Sequence, residues 1–167
     1  MLSEDEGPEA VQRATDAGLK LLAARARTRQ ELLEALAKKG FVPTVREQAL
    51  ARLEGWGYLD DARFGHERAS ALLRGGKGPS AVLQRLEAHG LSEDEARSAL
   101  ESASGAVEFD ALAAARGVLE KRGLSARPLD GKSWARAARL LSGRGFSEDV
   151  IHQLLGEASL DPSGPDE

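Results

Sequence analysis

The residues able to do chemistry are few and scattered. Three histidines, His66, His89 and His152, stand far apart, and none has a second histidine or a carboxylate at a metal-ligand spacing on one helical face. There are no cysteines, which excludes disulfides and thiolate metal sites. Gly75-Gly76-Lys77-Gly78-Pro79-Ser80 has the composition of a phosphate loop. That loop needs a preceding strand and a lysine followed directly by Ser or Thr. Here a helical pattern precedes, and Gly78-Pro79 follows the lysine. A less demanding reading is a backbone phosphate resting on the helix N-terminus at Pro79, with Lys77 nearby. Asp60-Asp61 suggests a carboxylate dyad, but capping accounts for both: Asp60 as the N-cap of a helix, Asp61 as negative charge in its first turn. No nucleophile–base pair stands out. The reading is a protein that is not an enzyme and needs neither cofactor nor metal.

The basic residues say more. Arg25, Arg27 and Arg29 surround the first turn between helices, and Lys38 and Lys39 end the next helix. Arg63, Arg74 and Lys77 follow. Together they form a candidate basic stripe for phosphates or for an acidic protein surface. Residues 1–16 carry a net charge of −4, residues 17–91 carry +5 and residues 92–167 carry −5. The middle of the chain therefore suits an anionic partner better than its end does. Against a dedicated DNA reader, there is no strongly basic recognition helix, and the sequence pI is about 5.5. Trp56, Tyr58, Phe64 and Trp134 are expected as core or interface residues, with base stacking as the alternative.

These groups must be held by helices. Apolar residues recur at helical spacing in Leu19, Leu22, Ala23 and Ala26; in Leu32, Leu33 and Leu36; and in Val45, Ala49, Leu50 and Leu53. Thr28-Arg29-Gln30-Glu31 and Ser92-Glu93-Asp94-Glu95 have the capping-box pattern. Pro43 and Pro79 suit first helical turns. Val82, Leu83 and Leu86, then Ala96, Ala99, Leu100 and Ala103, continue the pattern. A helix with Phe109, Leu112, Ala115 and Leu119 is expected to end at Gly123, before a loop with Pro128 and Gly131. Trp134, Ala137, Ala138 and Leu141 carry the next helix, and Ile151, Leu154 and Leu155 the last. Gly75 to Gly78 reads as a flexible turn.

A repeat organises these helices. Gly90-Leu91-Ser92-Glu93-Asp94 returns as Gly145-Phe146-Ser147-Glu148-Asp149, with a looser copy at Gly40-Phe41-Val42-Pro43. The three glycines are 50 and 55 positions apart, and each closes one helical stretch and precedes another. The expected fold is all-α, with three tandem three-helix repeats in an elongated array at residues 10–57, 58–105 and 106–158. Residues 1–9 and 159–167 are expected as disordered tails. An aromatic content of 4% favours thin Ala/Leu seams over a thick core. No apolar run is long enough to span a bilayer, and the acidic start lacks the layout of a signal peptide.

Leu21-Leu22-Ala23-Ala24-Arg25-Ala26-Arg27-Thr28-Arg29-Gln30-Glu31-Leu32 resembles the start of the RecX regulatory proteins. So does the path from Lys39-Gly40-Phe41 to Leu53-Glu54-Gly55-Trp56-Gly57-Tyr58-Leu59-Asp60-Asp61-Ala62-Arg63-Phe64, and then Gly76-Lys77-Gly78-Pro79 and Leu86 to Gly90-Leu91. The resemblance covers about residues 17–104. It implies a cytoplasmic, non-enzymatic protein that binds the RecA recombinase filament on single-stranded DNA; the chain is expected to be a monomer. It further implies restraint of ATP hydrolysis, strand exchange and co-protease activity, and so a role in recombination, DNA repair and the SOS response. Tyr58, Leu59, Asp60, Asp61, Phe64, Gly78 and Pro79 carry the family motif and are expected to be structural. Ser80 and Ala81 stand where family members often carry basic residues, and the chain is acidic overall. Both argue against tight binding to DNA alone. The competing reading is a helical DNA-binding module acting without RecA.

Overall fold

The computed structural model describes residues 4–126 and 129–156. Among these the chain is all-helical, with nine helices: α1 Pro8–Ala24, α2 Arg29–Lys38, α3 Pro43–Gly55, α4 Asp61–Arg74, α5 Pro79–Ala88, α6 Glu93–Ala106, α7 Ala111–Lys121, α8 Gly131–Gly143 and α9 Glu148–Leu155. It divides into two compact units. One comprises the chain up to Arg68 together with Arg85–Ala99, the other Ala69–Gln84 together with the chain from Leu100 onward.

Local signals set the helix ends. Thr28 accepts from the Glu31 amide, and the Glu31 carboxylate accepts from the Thr28 amide, so both halves of the first capping box are made. Ser92 and Glu95 make the second box in the same way. Pro43 and Pro79 each occupy the first position of a helix, where a missing N–H costs nothing. Gly40, Gly90 and Gly145 close α2, α5 and α8 at φ values of 93°, 97° and 93°, a region that side chains avoid.

In the first unit, α1, α2 and α3 enclose Val11, Ala14, Leu32, Leu36, Val45, Leu50 and Leu53. Phe41 packs onto that core from the turn after α2. In the second unit, α7, α8 and α9 enclose Ala115, Leu119, Ala137, Leu141, Phe146 and Ile151. Each buried Leu or Ile contributes about 1.5–3 kcal/mol by leaving water.

Several boundaries differ from those expected. α1 begins at Pro8, inside the stretch expected as a tail, because proline is tolerated at a first turn and Ala10 and Val11 are buried there. It stops at Ala24 instead of running through Ala26, because Arg25 turns to extended backbone to bring Thr28 into its cap. α7 starts at Ala111 rather than Phe109, since Asp110 accepts from the Ala113 amide and fixes the N-terminus. In α9 Ile151 is buried, while Leu154 and Leu155 are half-buried. Residues 1–3, Pro128 and the tail at 159–167 lie outside the described residues.

Candidate functional site

Helix ends meet helix ends in this protein, and that arrangement decides which charged groups remain available. In the first unit the C-terminal end of α5 sits on the N-terminus of α2. The Thr28 hydroxyl donates to the His89 carbonyl at 2.5 Å, and a Cβ on Gly90 would lie 2.6 Å from Gln30 Cβ. His89 Nδ1 lies 3.3 Å from Glu31 Oε2, and its ring meets Phe64 edge-on at a centroid distance of 5.1 Å. In the second unit the end of α8 sits on the N-terminus of α5. The Gly78 amide donates to the Arg144 carbonyl at 2.6 Å and the Ser80 amide to the Gly145 carbonyl at 3.2 Å. Orphan amides at the start of one helix thereby satisfy orphan carbonyls at the end of another, positive dipole end against negative.

The second of these contacts corrects two expectations. The Gly78 and Ser80 amides at the start of α5 are spent on α8 and are not free to hold a phosphate. The Gly75–Gly78 segment is also a fixed turn: Lys77 N donates to Leu72 O, and the Arg144 guanidinium donates to Gly75 O at 3.3 Å. Gly78 is buried for the same reason, because a Cβ there would lie 2.5 Å from the Gly145 backbone.

Of the basic residues singled out from the sequence, Arg25, Arg27, Lys38 and Lys39 come together. With Glu31 and Glu34 they line a concavity of about 440 Å³ at the ends of α1 and α2. Arg25 lies 3.5 Å from Glu31, and Arg27 is steadied by donating to Leu21 O at 3.3 Å. Lys38 and Lys39 are exposed. Four cations against two carboxylates leave this surface positive.

Arg29 is directed elsewhere. It pairs with Glu47 at 2.5 Å and Glu54 at 2.8 Å, and the hydrogen bond to Glu47, opposed by burial and reinforced by Glu54, raises its pKa above the ordinary arginine value. Glu47 is correspondingly held below the carboxylate range by Arg29. Arg63 is exposed and donates to Gly57 O at 3.1 Å, beside the exposed Tyr58. Asp60 caps α4 by accepting from the Arg63 amide at 3.0 Å, and Leu59 is buried. Asp61 does more than charge the first turn: it accepts from the Arg29 amide at 2.8 Å, and burial pushes its pKa up.

The second unit holds a basic surface that was not anticipated. Arg74 lies with Lys121, Arg122 and Arg144 around a concavity of about 260 Å³ floored by Gly76, Ala113 and Gly117. No carboxylate lines it. Lys77 is half-buried in the same unit and does not line it. The signal was present, because Arg122 and Arg144 stand directly before the helix-closing glycines Gly123 and Gly145, and Arg74 stands two positions before Gly76. The net acidity of the last 76 residues concealed it. Among the described residues there is no group of three potential metal ligands, and no helix is long and apolar enough to cross a membrane.

Comparison with known proteins bears on the family and the fold. Residues 14–53 match the model of the RecX first three-helix domain. The regulatory protein RecX of Halorhodospira halophila is 34% identical over 156 residues, covering 93% of this chain and 94% of its own. That of Acidithiobacillus ferrooxidans is 34% identical over 142 residues, covering 85% and 88%. The crystal structure of RecX from Lactobacillus salivarius superposes with a TM-score of 0.69 at 17% identity, covering 91% of this chain and 98% of its own, which establishes the shared fold. With that identity sustained over nearly the whole length of both sequences, the chain belongs to the RecX family of regulatory proteins.

Proposed function

We propose that this RecX-family regulator of RecA acts as a non-enzymatic, monomeric ligand of the RecA filament on single-stranded DNA in the cytoplasm. By occupying the filament it inhibits ATP hydrolysis, strand exchange and co-protease activity, and so modulates recombination, repair and the SOS response. The observation that carries this reading is the end-to-end relationship to the RecX regulatory proteins. Each set of three helices is taken as one repeat, so contacts spread over the chain gain by effective concentration. The surface of Arg25, Arg27, Lys38 and Lys39 supports contact with an acidic filament surface or with phosphate.

The decisive experiment is single-stranded-DNA-dependent ATP hydrolysis by RecA of the same organism, titrated with this protein. Loss of the rate is expected. An unchanged rate with active RecA, together with tight salt-dependent binding to naked DNA, would replace this reading by the independent DNA-binding module. Charge reversal at Arg25, Arg27, Lys38 and Lys39 together should weaken filament binding and flatten its dependence on salt. No change in either would remove this surface from the interface.

A further inference from the structure

Trp56 and Tyr58 are 56% and 57% exposed, large apolar side chains left outside the core. They flank Gly57 in the connection between α3 and α4. This loop is fixed in position although its rings are not packed. The Tyr58 and Leu59 amides both donate to Leu53 O, at 2.9 and 3.3 Å, the Gly57 amide donates to Glu54 O, and Leu59 is buried as an anchor. A Cβ placed on Gly55 or Gly57 would meet nothing within 4 Å, so there is open space at both glycines. Arg63 adds a cation held on the backbone between the two rings.

From this we infer that Trp56, Tyr58 and Arg63 form a preorganised anchor for a protein surface with an apolar cleft flanked by a carboxylate. The inference rests on the RecA-filament reading and names the part of this chain that engages the protein component of that filament. Tryptophan, tyrosine and arginine dominate the binding energy of protein interfaces, and a fixed backbone lowers the ordering cost of docking. The charge nearby favours protein over nucleic acid. Glu47, Glu54, Asp60 and Asp61 are balanced by Arg29, Arg46, Arg52 and Arg63, and Arg29 is already paired with two of those carboxylates. A polyanion brought to these rings would find no net positive charge to hold it, whereas a protein cleft with one carboxylate opposite Arg63 needs only that one cation.

The test compares the full chain with the W56A/Y58A and W56F/Y58F double variants. Binding is measured to RecA filaments and to a naked single-stranded oligonucleotide, with thermal melting as the check on folding. For W56A/Y58A the expected result is filament binding weakened by about thirtyfold or more, with oligonucleotide binding and melting unchanged. W56F/Y58F, which keeps the rings, should recover most of the affinity. Unchanged filament binding by W56A/Y58A would overturn the inference and leave the RecA reading standing. A parallel loss of oligonucleotide binding would overturn it in favour of base stacking. Failure of the unmodified chain to bind filaments would overturn the RecA reading itself, and the inference with it.

Discussion

The contacts of α5 with α2 and of α8 with α5 solve one problem in two chemistries. Both seat the C-terminal end of one helix on the N-terminus of another, and both use a glycine near φ +95°. The α2–α5 contact is made by side chains: a Thr28 hydroxyl, the Glu31 carboxylate and the His89 ring. The α5–α8 contact is made by backbone, amide to carbonyl, with Gly78 and Gly145 admitting the close approach. A side-chain contact can be tuned by substitution and by pH. A backbone contact tolerates almost any neighbouring side chain but no Cβ at its centre.

The repeated glycine separates the two chemistries most strongly, because three copies have nearly the same φ and differ in surroundings. A Cβ on Gly40 meets nothing within 4 Å, so Gly40→Ala should cost only the left-handed strain, about 1–2 kcal/mol. On Gly90 it meets Gln30 Cβ and Cγ at 2.6 and 2.9 Å, and on Gly145 it meets Ala81 Cβ at 2.5 Å and the Ala81 backbone besides. The expected order of destabilisation is Gly145→Ala, then Gly90→Ala, then Gly40→Ala, with Gly145→Ala costing about 2–5 kcal/mol. Gln30→Gly should relieve part of the Gly90→Ala penalty, whereas Ala81→Gly leaves the backbone overlap at Gly145 in place. Denaturant melts of the single and double variants measure both couplings. Equal costs at all three glycines would mean that the close approaches carry no energy.

A smaller effect sharpens the contrast. Thr28→Ala removes both the cap of α2 and the donor to the His89 carbonyl, and should cost about 1–2 kcal/mol, with Thr28→Ser restoring most of it. Glu31 links the same contact to pH. Burial works to raise its pKa, but the Thr28 amide, His89 and Arg25 outweigh this and hold it below the ordinary value of 4.5. A carboxyl lowered on folding contributes stability that is present above the unfolded value and is lost as pH falls through the folded one. Acid below about pH 4.5 should therefore loosen the α2–α5 contact and leave the amides of Gly78 and Ser80 undisturbed. Amide NMR shifts followed through an acid titration would check this. Simultaneous movement of both sets would erase the distinction.

Much of this was legible in the sequence because it is local. Pro43, Pro79, the two capping boxes and the closing glycines act within one helical turn, and they place most helix boundaries within a residue or two. What was hidden depends on distant partners. Arg29 looks like any surface arginine until Glu47 and Glu54 fold beside it. The basic surface of the second unit gathers Arg74 with residues about 50 to 70 positions later, through helix ends that periodicity cannot pair. The glycine repeat itself was visible, but a repeat states only that a glycine is needed. Whether the reason is strain, a side chain or a backbone is decided by what folds against it.

Adjacent Asp60 and Asp61 give the smallest test and the finest one, since two neighbouring carboxylates hold different tasks. Asp60 is exposed and caps its own helix, so Asp60→Ala should cost about 1 kcal/mol through the lost acceptor. Asp61 reaches across to the Arg29 amide at the start of α2, and burial together with the charges of Glu95 and Glu54 raises its pKa despite that hydrogen bond. A carboxyl raised on folding contributes stability below its unfolded value and loses it as pH rises through the folded one. At neutral pH the Asp61 charge is therefore a net cost, while its oxygen remains a needed acceptor. An asparagine side chain keeps an acceptor oxygen without the charge. Asp61→Asn should therefore melt at or slightly above the unmodified chain at pH 7, with the gain vanishing as pH falls through the carboxylate range. Asp61→Ala, lacking the acceptor, should be less stable by about 1 kcal/mol. Destabilisation of both variants by the same amount would show that the Asp61 charge, held against the positive end of α4, outweighs its burial.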